Sequence, residues 1–167
     1  MIQVYTGNGK GKTTAALGLC LRAAGAGKSV FLGQFLKGRT CSELVSLQKM
    51  RGVRVEQFGS GQFVKGKPSA ADIKSAKRGF LLIKKAVLSG KFGVVIMDEI
   101  NTVLDLGMLD IDALLLMLGE VPEEVEIVLT GRNAPQRLID QADLVSEIKD
   151  VKHYFRRGIK ARKGIEF

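Results

Sequence analysis

The sequence predicts an α/β domain with a mostly parallel central sheet and helices on both faces. Three observations predict it. Strand-like apolar runs alternate with helix-like stretches along the chain, which is the pattern of a parallel sheet covered on both sides. A glycine-rich turn, Thr6-Gly7-Asn8-Gly9-Lys10-Gly11-Lys12-Thr13-Thr14, joins the first apolar run to the first helix, the form of a phosphate-binding P-loop. A continuous apolar run, Val94-Val95-Ile96-Met97, ends in Asp98-Glu99, as a central strand with acids at its carboxyl end does. With 167 residues, the chain accommodates one domain, 1–167, and is too short for two.

The elements follow in order. Ile2 to Tyr5 reads as a buried strand, and Ala15-Ala16-Leu17-Gly18-Leu19-Cys20-Leu21 as an apolar helix closed by Gly25-Ala26-Gly27-Lys28, since paired glycines end helices efficiently. Ser29 to Leu36 is a second buried strand, and Ser42 to Met50 carries helical spacing at Leu44, Val45, Leu47 and Met50. Val53 to Phe58 alternates with the period of a strand. The loop Gly59 to Pro68 is long for a compact domain, which marks it as functional or mobile. Ser69 stands as the N-cap of a helix whose apolar face is Ile73, Ala76, Phe80, Ile83 and Val87 and whose solvated face is basic. Ile100–Leu106 and Asp110–Leu118 read as helices, Glu126–Thr130 as a strand, Gln136–Gln141 as a helix with Pro135 in its first turn, and Ala142–Ile148 as the last strand. The tail, 150–167, is basic, and its interleaved Ile159, Ile165 and Phe167 predict that it packs back onto the domain.

Bulk properties narrow the classes. Apolar residues make up 46% and charged residues 26% of the chain, the composition of a soluble globular protein. No apolar run approaches the roughly 18 residues that span a membrane, and the first residues lack a charged-then-apolar leader. With only Cys20 and Cys41, in no metal spacing, the expectation is a cytoplasmic, thiol-reduced protein. A single histidine, His153, argues against a multi-histidine metal site. The net charge of +9 is compatible with nucleic acid, a membrane surface or a polyanionic small ligand, and a nucleoside triphosphate with about four negative charges accounts for part of it.

The glycine turn carries the chemistry. Gly7, Gly9 and Gly11 allow the backbone to curl so that N–H groups converge. The helix that follows adds its unpaired N–H groups and dipole, Lys12 adds a full charge, and Thr13 offers a hydroxyl to Mg²⁺. Thr6 departs from the strict motif, standing where it has its first glycine. Asp98 and Glu99 resemble the acids that reach Mg²⁺ directly or through water; the alternative role for either is N-cap of the helix from Ile100, which one of them is expected to fill as well. Arg132, just past a strand and a glycine, either forks onto phosphate oxygens or sits on a surface loop. In parallel sheets ligands lie beyond the carboxyl ends of the strands, which gathers Lys12, Lys37, Asp98, Glu99 and Arg132 along one edge.

These residues carry a family resemblance. Thr6 to Ala16, Gln34-Phe35-Leu36-Lys37-Gly38, Met97-Asp98-Glu99-Ile100-Asn101, Leu129 to Pro135, and Val151-Lys152-His153 with the ending Gly158 to Phe167 together resemble the ATP:corrinoid adenosyltransferases of the CobA/BtuR type, nearly end to end and in order. The resemblance implies a RecA-like P-loop fold and a homodimer. It implies transfer of the 5′-deoxyadenosyl group of ATP to the cobalt of cob(I)alamin or a corrinoid precursor, releasing triphosphate. On its terms Gly7, Asn8, Gly9, Lys10, Gly11, Lys12, Thr13 and Thr14 hold the phosphates, and Lys37 and Arg132 add charge. Mg²⁺ (or Mn²⁺) sits among Thr13, Asp98 and Glu99, and Lys12, Thr13 and Glu99 carry the catalytic duties. The reduced corrinoid comes with a flavoprotein reductant, and nucleic acid is not an expected partner. Members often have an N-terminal extension covering the site, whereas only Met1 to Tyr5 precede the loop here, so that cover is expected to be absent or to come from elsewhere. The family's corrinoid-facing loop has a Gly-Phe-Thr-Trp pattern; here it is Gly61-Gln62-Phe63-Val64, leaving Phe63 as a partial substitute. The rival readings are a P-loop ATPase acting on nucleic acid and a small-molecule kinase.

Overall fold

A computed structural model of the chain describes residues 1–38, 41–61, 64 and 66–167; Phe63 lies outside the described residues. The elements are β1 (Ile2–Thr6), α1 (Lys12–Gly25), β2 (Val30–Phe35), α2 (Ser42–Leu47), β3 (Val53–Phe58), α3 (Ala70–Leu88), β4 (Val94–Asp98), α4 (Ile100–Asp105), α5 (Ile111–Gly119), β5 (Glu126–Thr130), α6 (Gln136–Gln141) and β6 (Leu144–Glu147), with a 3₁₀ turn at Tyr154–Arg157. Among the described residues the sheet has six strands in the order β3-β2-β4-β5-β1-β6. Every pairing is parallel, so the expected mostly parallel sheet is parallel throughout.

Side-chain alternation along the strands builds a core on each face. In β4, Val94 and Ile96 join Ala16, Cys20 and Ala23 of α1 and Leu47 of α2. Val95 and Met97 face the other way, into a larger core with Phe80 and Ile83 of α3, Val103 of α4, Leu114 of α5 and Leu138 of α6. Burial on both faces explains why β2 and β4 are buried at every position and read as largely apolar runs, with Gln34 the polar exception within β2 and Asp98 at the end of β4. The edge strand β6 is exposed along its length.

Local chemistry sets the ends. Ser69 caps α3 as expected: its hydroxyl accepts from the Asp72 amide at 3.2 Å, and the Asp72 carboxylate accepts from the Ser69 amide at 3.0 Å, a reciprocal capping box. Asp110 and Pro135 stand one place outside their helices, as N-caps and not first-turn residues. Pro135 has ψ 142°, an extended value outside the helical range. The parallel topology delivers the ends of β1, β2, β4 and β5 to one edge, where the glycine turn also lies.

Candidate functional site

The turn after β1 is shaped by its glycines and by a second strand of chain beside it. Gly7 and Gly11 have φ of 97° and 129°, a region that strains residues with a Cβ. The Gly9 amide donates to the Ile148 carbonyl at 2.7 Å, and a Cβ at Gly9 would lie 2.7 Å from the Lys149 carbonyl carbon. Thr6 explains its own departure from the motif: its hydroxyl accepts from the Ala134 amide at 3.2 Å. That bond ties β1 to the loop after β5, which a glycine would leave loose.

Helix α1 begins at Lys12 with no acidic residue in its first turn, so no negative charge of its own offsets its positive end. Lys12 is 7% exposed, and its ammonium donates to the Gly7 and Gly9 carbonyls at 2.7 and 2.8 Å. Burial lowers its pKa, against an upward pull from Glu99; Arg132 pushes down and Asp98 up.

Asp98 closes β4 and is fully buried. One carboxylate oxygen accepts from the Thr13 hydroxyl at 2.8 Å and the Thr130 hydroxyl at 2.7 Å. The other accepts from the Lys37 ammonium at 2.9 Å and the Gln34 amide at 3.4 Å. For Lys37 burial pulls the pKa down, but attraction and hydrogen bonding to Asp98, with help from Glu43 and Glu99, raise it overall. Lys37 is aimed by a tight crossing of chains: a Cβ at Gly38 would lie 2.5 Å from the Gly59 carbonyl oxygen, and one at Gly59 2.7 Å from the Lys37 amide nitrogen.

Glu99 takes the left-handed conformation, φ 66°. Its amide donates to the Thr130 hydroxyl at 3.0 Å, and its carboxylate accepts from the Thr102 hydroxyl at 2.7 Å. Arg132 follows Gly131, φ 135°, and its amide donates to Thr102 Oγ1 at 3.2 Å.

These groups face a cavity of about 900 Å³ whose walls include Asn8, Gly9, Lys10, Gly11, Lys12, Thr13, Thr14, Lys37, Glu99 and Arg132. Gly7 shapes the turn without lining the cavity, and Asp98 stands behind Thr13 and Lys37. The tail lines the same cavity, with Asp150, His153, Phe155, Arg156 and residues 164–167. The tail returns through polar contacts: Lys10 donates to the Ile165 carbonyl at 2.9 Å and sits 3.6 Å from the Glu166 carboxylate, and Ser42 donates to the Phe167 carbonyl at 3.0 Å. Ile159, Ile165 and Phe167, expected to anchor it, stay 36%, 56% and 48% exposed.

Several members of the site went unnamed in the sequence reading, although Gln34 and Thr130 lie in stretches that carry the family resemblance. Gln34, Thr130 and Thr102 were not singled out as site residues by sequence reasoning. Gln34 left the clearest signal, a polar residue inside the otherwise apolar run of β2. Among the described residues there is no cluster of three or more His, Cys, Asp or Glu suited to a metal. Thr13 and Glu99 nevertheless present hard oxygens to the cavity. Because Thr13 spends its proton on Asp98, its lone pairs are free to meet a cation, which fits a magnesium ion completed by phosphate and water.

Comparison with known proteins agrees in one direction. Residues 1–167 match the family described as ATP:corrinoid adenosyltransferase BtuR/CobO/CobP. The chain is 35% identical to a corrinoid adenosyltransferase of Pseudomonas aeruginosa, covering all of this chain and 83% of that protein. It is 32% identical to one of Escherichia coli K12, covering all of this chain and 85% of that one. An uncharacterised protein of Nostoc sp. is 42% identical over 91% of this chain, which spans 44% of that protein's length. The chain belongs to the ATP:corrinoid adenosyltransferase family.

Proposed function

We propose that the chain transfers the 5′-deoxyadenosyl group of ATP to a reduced corrinoid, using the glycine cradle to grip the triphosphate. The reduced corrinoid is both substrate and nucleophile. Its cobalt donates an electron pair to the 5′-carbon of the ribose, the C5′–O bond breaks, and that pair leaves on the triphosphate. No side chain is needed as nucleophile, in keeping with a buried Cys20 and with a single histidine whose Nδ1 is already occupied by the Phe155 amide at 3.1 Å. The chain's task is alignment and charge: backbone amides of the cradle and the end of α1 hold phosphate oxygens, while Lys12, Lys37 and Arg132 meet the charge that grows on the leaving group. Mg²⁺, held by Thr13 and Glu99 with Asp98 orienting Thr13, would supply further neutralisation of that charge.

The observation that carries this reading is the 2.8 Å bond from Thr13 to Asp98 across 85 residues, which joins the glycine turn and the acidic strand end into one site in a chain of this family. A P-loop fold of RecA-like type, a homodimer, a flavoprotein reductant and a cytoplasmic setting complete the reading. No described helix is long and apolar enough to cross a membrane. The test is product analysis. Incubation with ATP, Mg²⁺ and chemically reduced cobalamin is expected to yield adenosylcobalamin by its spectrum together with inorganic triphosphate. Formation of ADP and phosphate in place of triphosphate would overturn the reaction.

A further inference from the structure

The wall of the cavity formed by Glu99 and Arg132 is set by a residue that does not itself line it. Thr102 lies in the first turn of α4, and its hydroxyl makes two bonds. It donates to Glu99 Oε2 at 2.7 Å and accepts from the Arg132 amide at 3.2 Å. The arrangement is not ordinary helix capping, because the α4 N-cap, Glu99, makes no side-chain bond to the backbone of the first turn. Its left-handed backbone and the Thr102 hydroxyl together hold the carboxylate where a capping side chain would fold back onto an amide. The loop carrying Arg132 is equally close-fitted: a Cβ at Gly131 would lie 2.8 Å from the Thr102 amide and 3.0 Å from its hydroxyl oxygen. Glu99 and Arg132 are also the two strongest charged influences on Lys12, of opposite sign. One hydroxyl therefore holds the Glu99 carboxylate and the Arg132 backbone, the two residues whose charges act most on the buried ammonium.

We infer that Thr102 is a positioning residue of the nucleotide site, acting through the Glu99 carboxylate and the Arg132 backbone to place two charged residues in the cavity that Lys12 also lines. The inference rests on the reading of the cavity as the ATP site and adds the residue that adjusts it. Outer-shell partners of metal-holding side chains, the role proposed for Glu99, typically change metal affinity or activity by about 10- to 100-fold.

The experiment measures ATP binding by calorimetry in the presence of Mg²⁺, alongside thermal midpoint and turnover with reduced cobalamin. Thr102→Val, which keeps shape and loses the hydroxyl, is expected to weaken ATP binding about tenfold or more. Thr102→Ser, which keeps the hydroxyl, is expected to restore it. In an Arg132→Ala background the Thr102→Val effect should shrink, since part of what Thr102 places is gone. If the valine variant does not fold, Thr102→Ala carries the same comparison. Wild-type affinity in the hydroxyl-less variants overturns the inference, as does an equal loss in both backgrounds that serine fails to rescue. A wild-type chain that binds ATP but makes no adenosylcobalamin refutes the proposed reaction and leaves this inference standing. One that binds no ATP refutes both.

Discussion

Replacing Lys12 by alanine probes the cradle at its centre. The ammonium is 7% exposed and is held 2.7 and 2.8 Å from two loop carbonyls. A unit charge about 4 Å from an anionic oxygen is worth about 4 kcal/mol at an effective dielectric near 20. The carbonyls take two of the ammonium's three N–H donors, which leaves the third for phosphate and offsets only a minor part of that gain. A net of about 3 kcal/mol remains, or roughly two powers of ten in Kd. Turnover should fall at least as far, because the charge on the leaving triphosphate is larger than on bound ATP. Calorimetry gives the Kd, and triphosphate release gives the rate. The pH dependence follows from the lowered pKa. Binding needs the protonated amine, so as pH rises affinity declines before the ordinary lysine value of 10.5 is reached. Lys12→Arg, which keeps its charge, should lose that decline. Near-wild-type affinity and turnover in Lys12→Ala would refute the assigned site.

Three further outcomes follow from the same geometry. Lys37→Met removes the cation from fully buried Asp98 but leaves its three other donors, so denaturant unfolding should show a loss of about 2–3 kcal/mol, less than the 3–5 typical of a buried pair broken outright. Because the folded pKa of Lys37 is raised, its contribution is complete below the ordinary 10.5 and disappears as pH climbs through the elevated value, so the two stabilities should converge only in strong alkali. Gly9→Ala places a Cβ 2.7 Å from the Lys149 backbone, which cannot yield as a side-chain tip would. It should cost about 1–3 kcal/mol and most of the ATP affinity, whereas Gly18→Ala, with open space at its Cβ, should gain up to about 1 kcal/mol. The Glu166 carboxyl is held down at about 2 by the Tyr154 hydroxyl first and Arg162 next, so its hold on the tail is present above the ordinary 4.5 and lost only as pH falls through about 2. Glu166→Gln should speed exchange of the Arg162 amide, which donates to Glu166 at 2.7 Å, several-fold by NMR at neutral pH.

The layout of the site was largely legible because phosphate chemistry constrains local spacing. The glycines, Lys12 and Thr13 lie within one turn of chain, and Asp98 and Glu99 close an apolar run long enough to name β4 unaided. Lys37 and Arg132 were placed by a topological rule, strand ends gathering at one edge, and both do line the cavity. What the sequence hides is pairing between distant polar side chains of ordinary type. Thr130 looks like any strand threonine until folding sets it against Asp98, and Thr102 like any helix threonine until Arg132 is brought to it. The tail exposes a second limit: apolar residues among basic ones suggested burial, but its hold on the body is polar, through Lys10 and Ser42. Thr6 was a departure from a motif on paper and a tie to Ala134 in three dimensions.

The sheet order has a consequence for when binding competence arises. β1 pairs with β5 and β6, with Ile2 opposite Ile127 and Gln3 opposite Leu144, and the glycine turn leans on Ile148. A growing chain therefore displays its glycine signature well before β5, β6 and Ile148, which brace it, have emerged. Such long closures are entropically slow, so capture of nucleotide is a late event that reports on completion of the sheet.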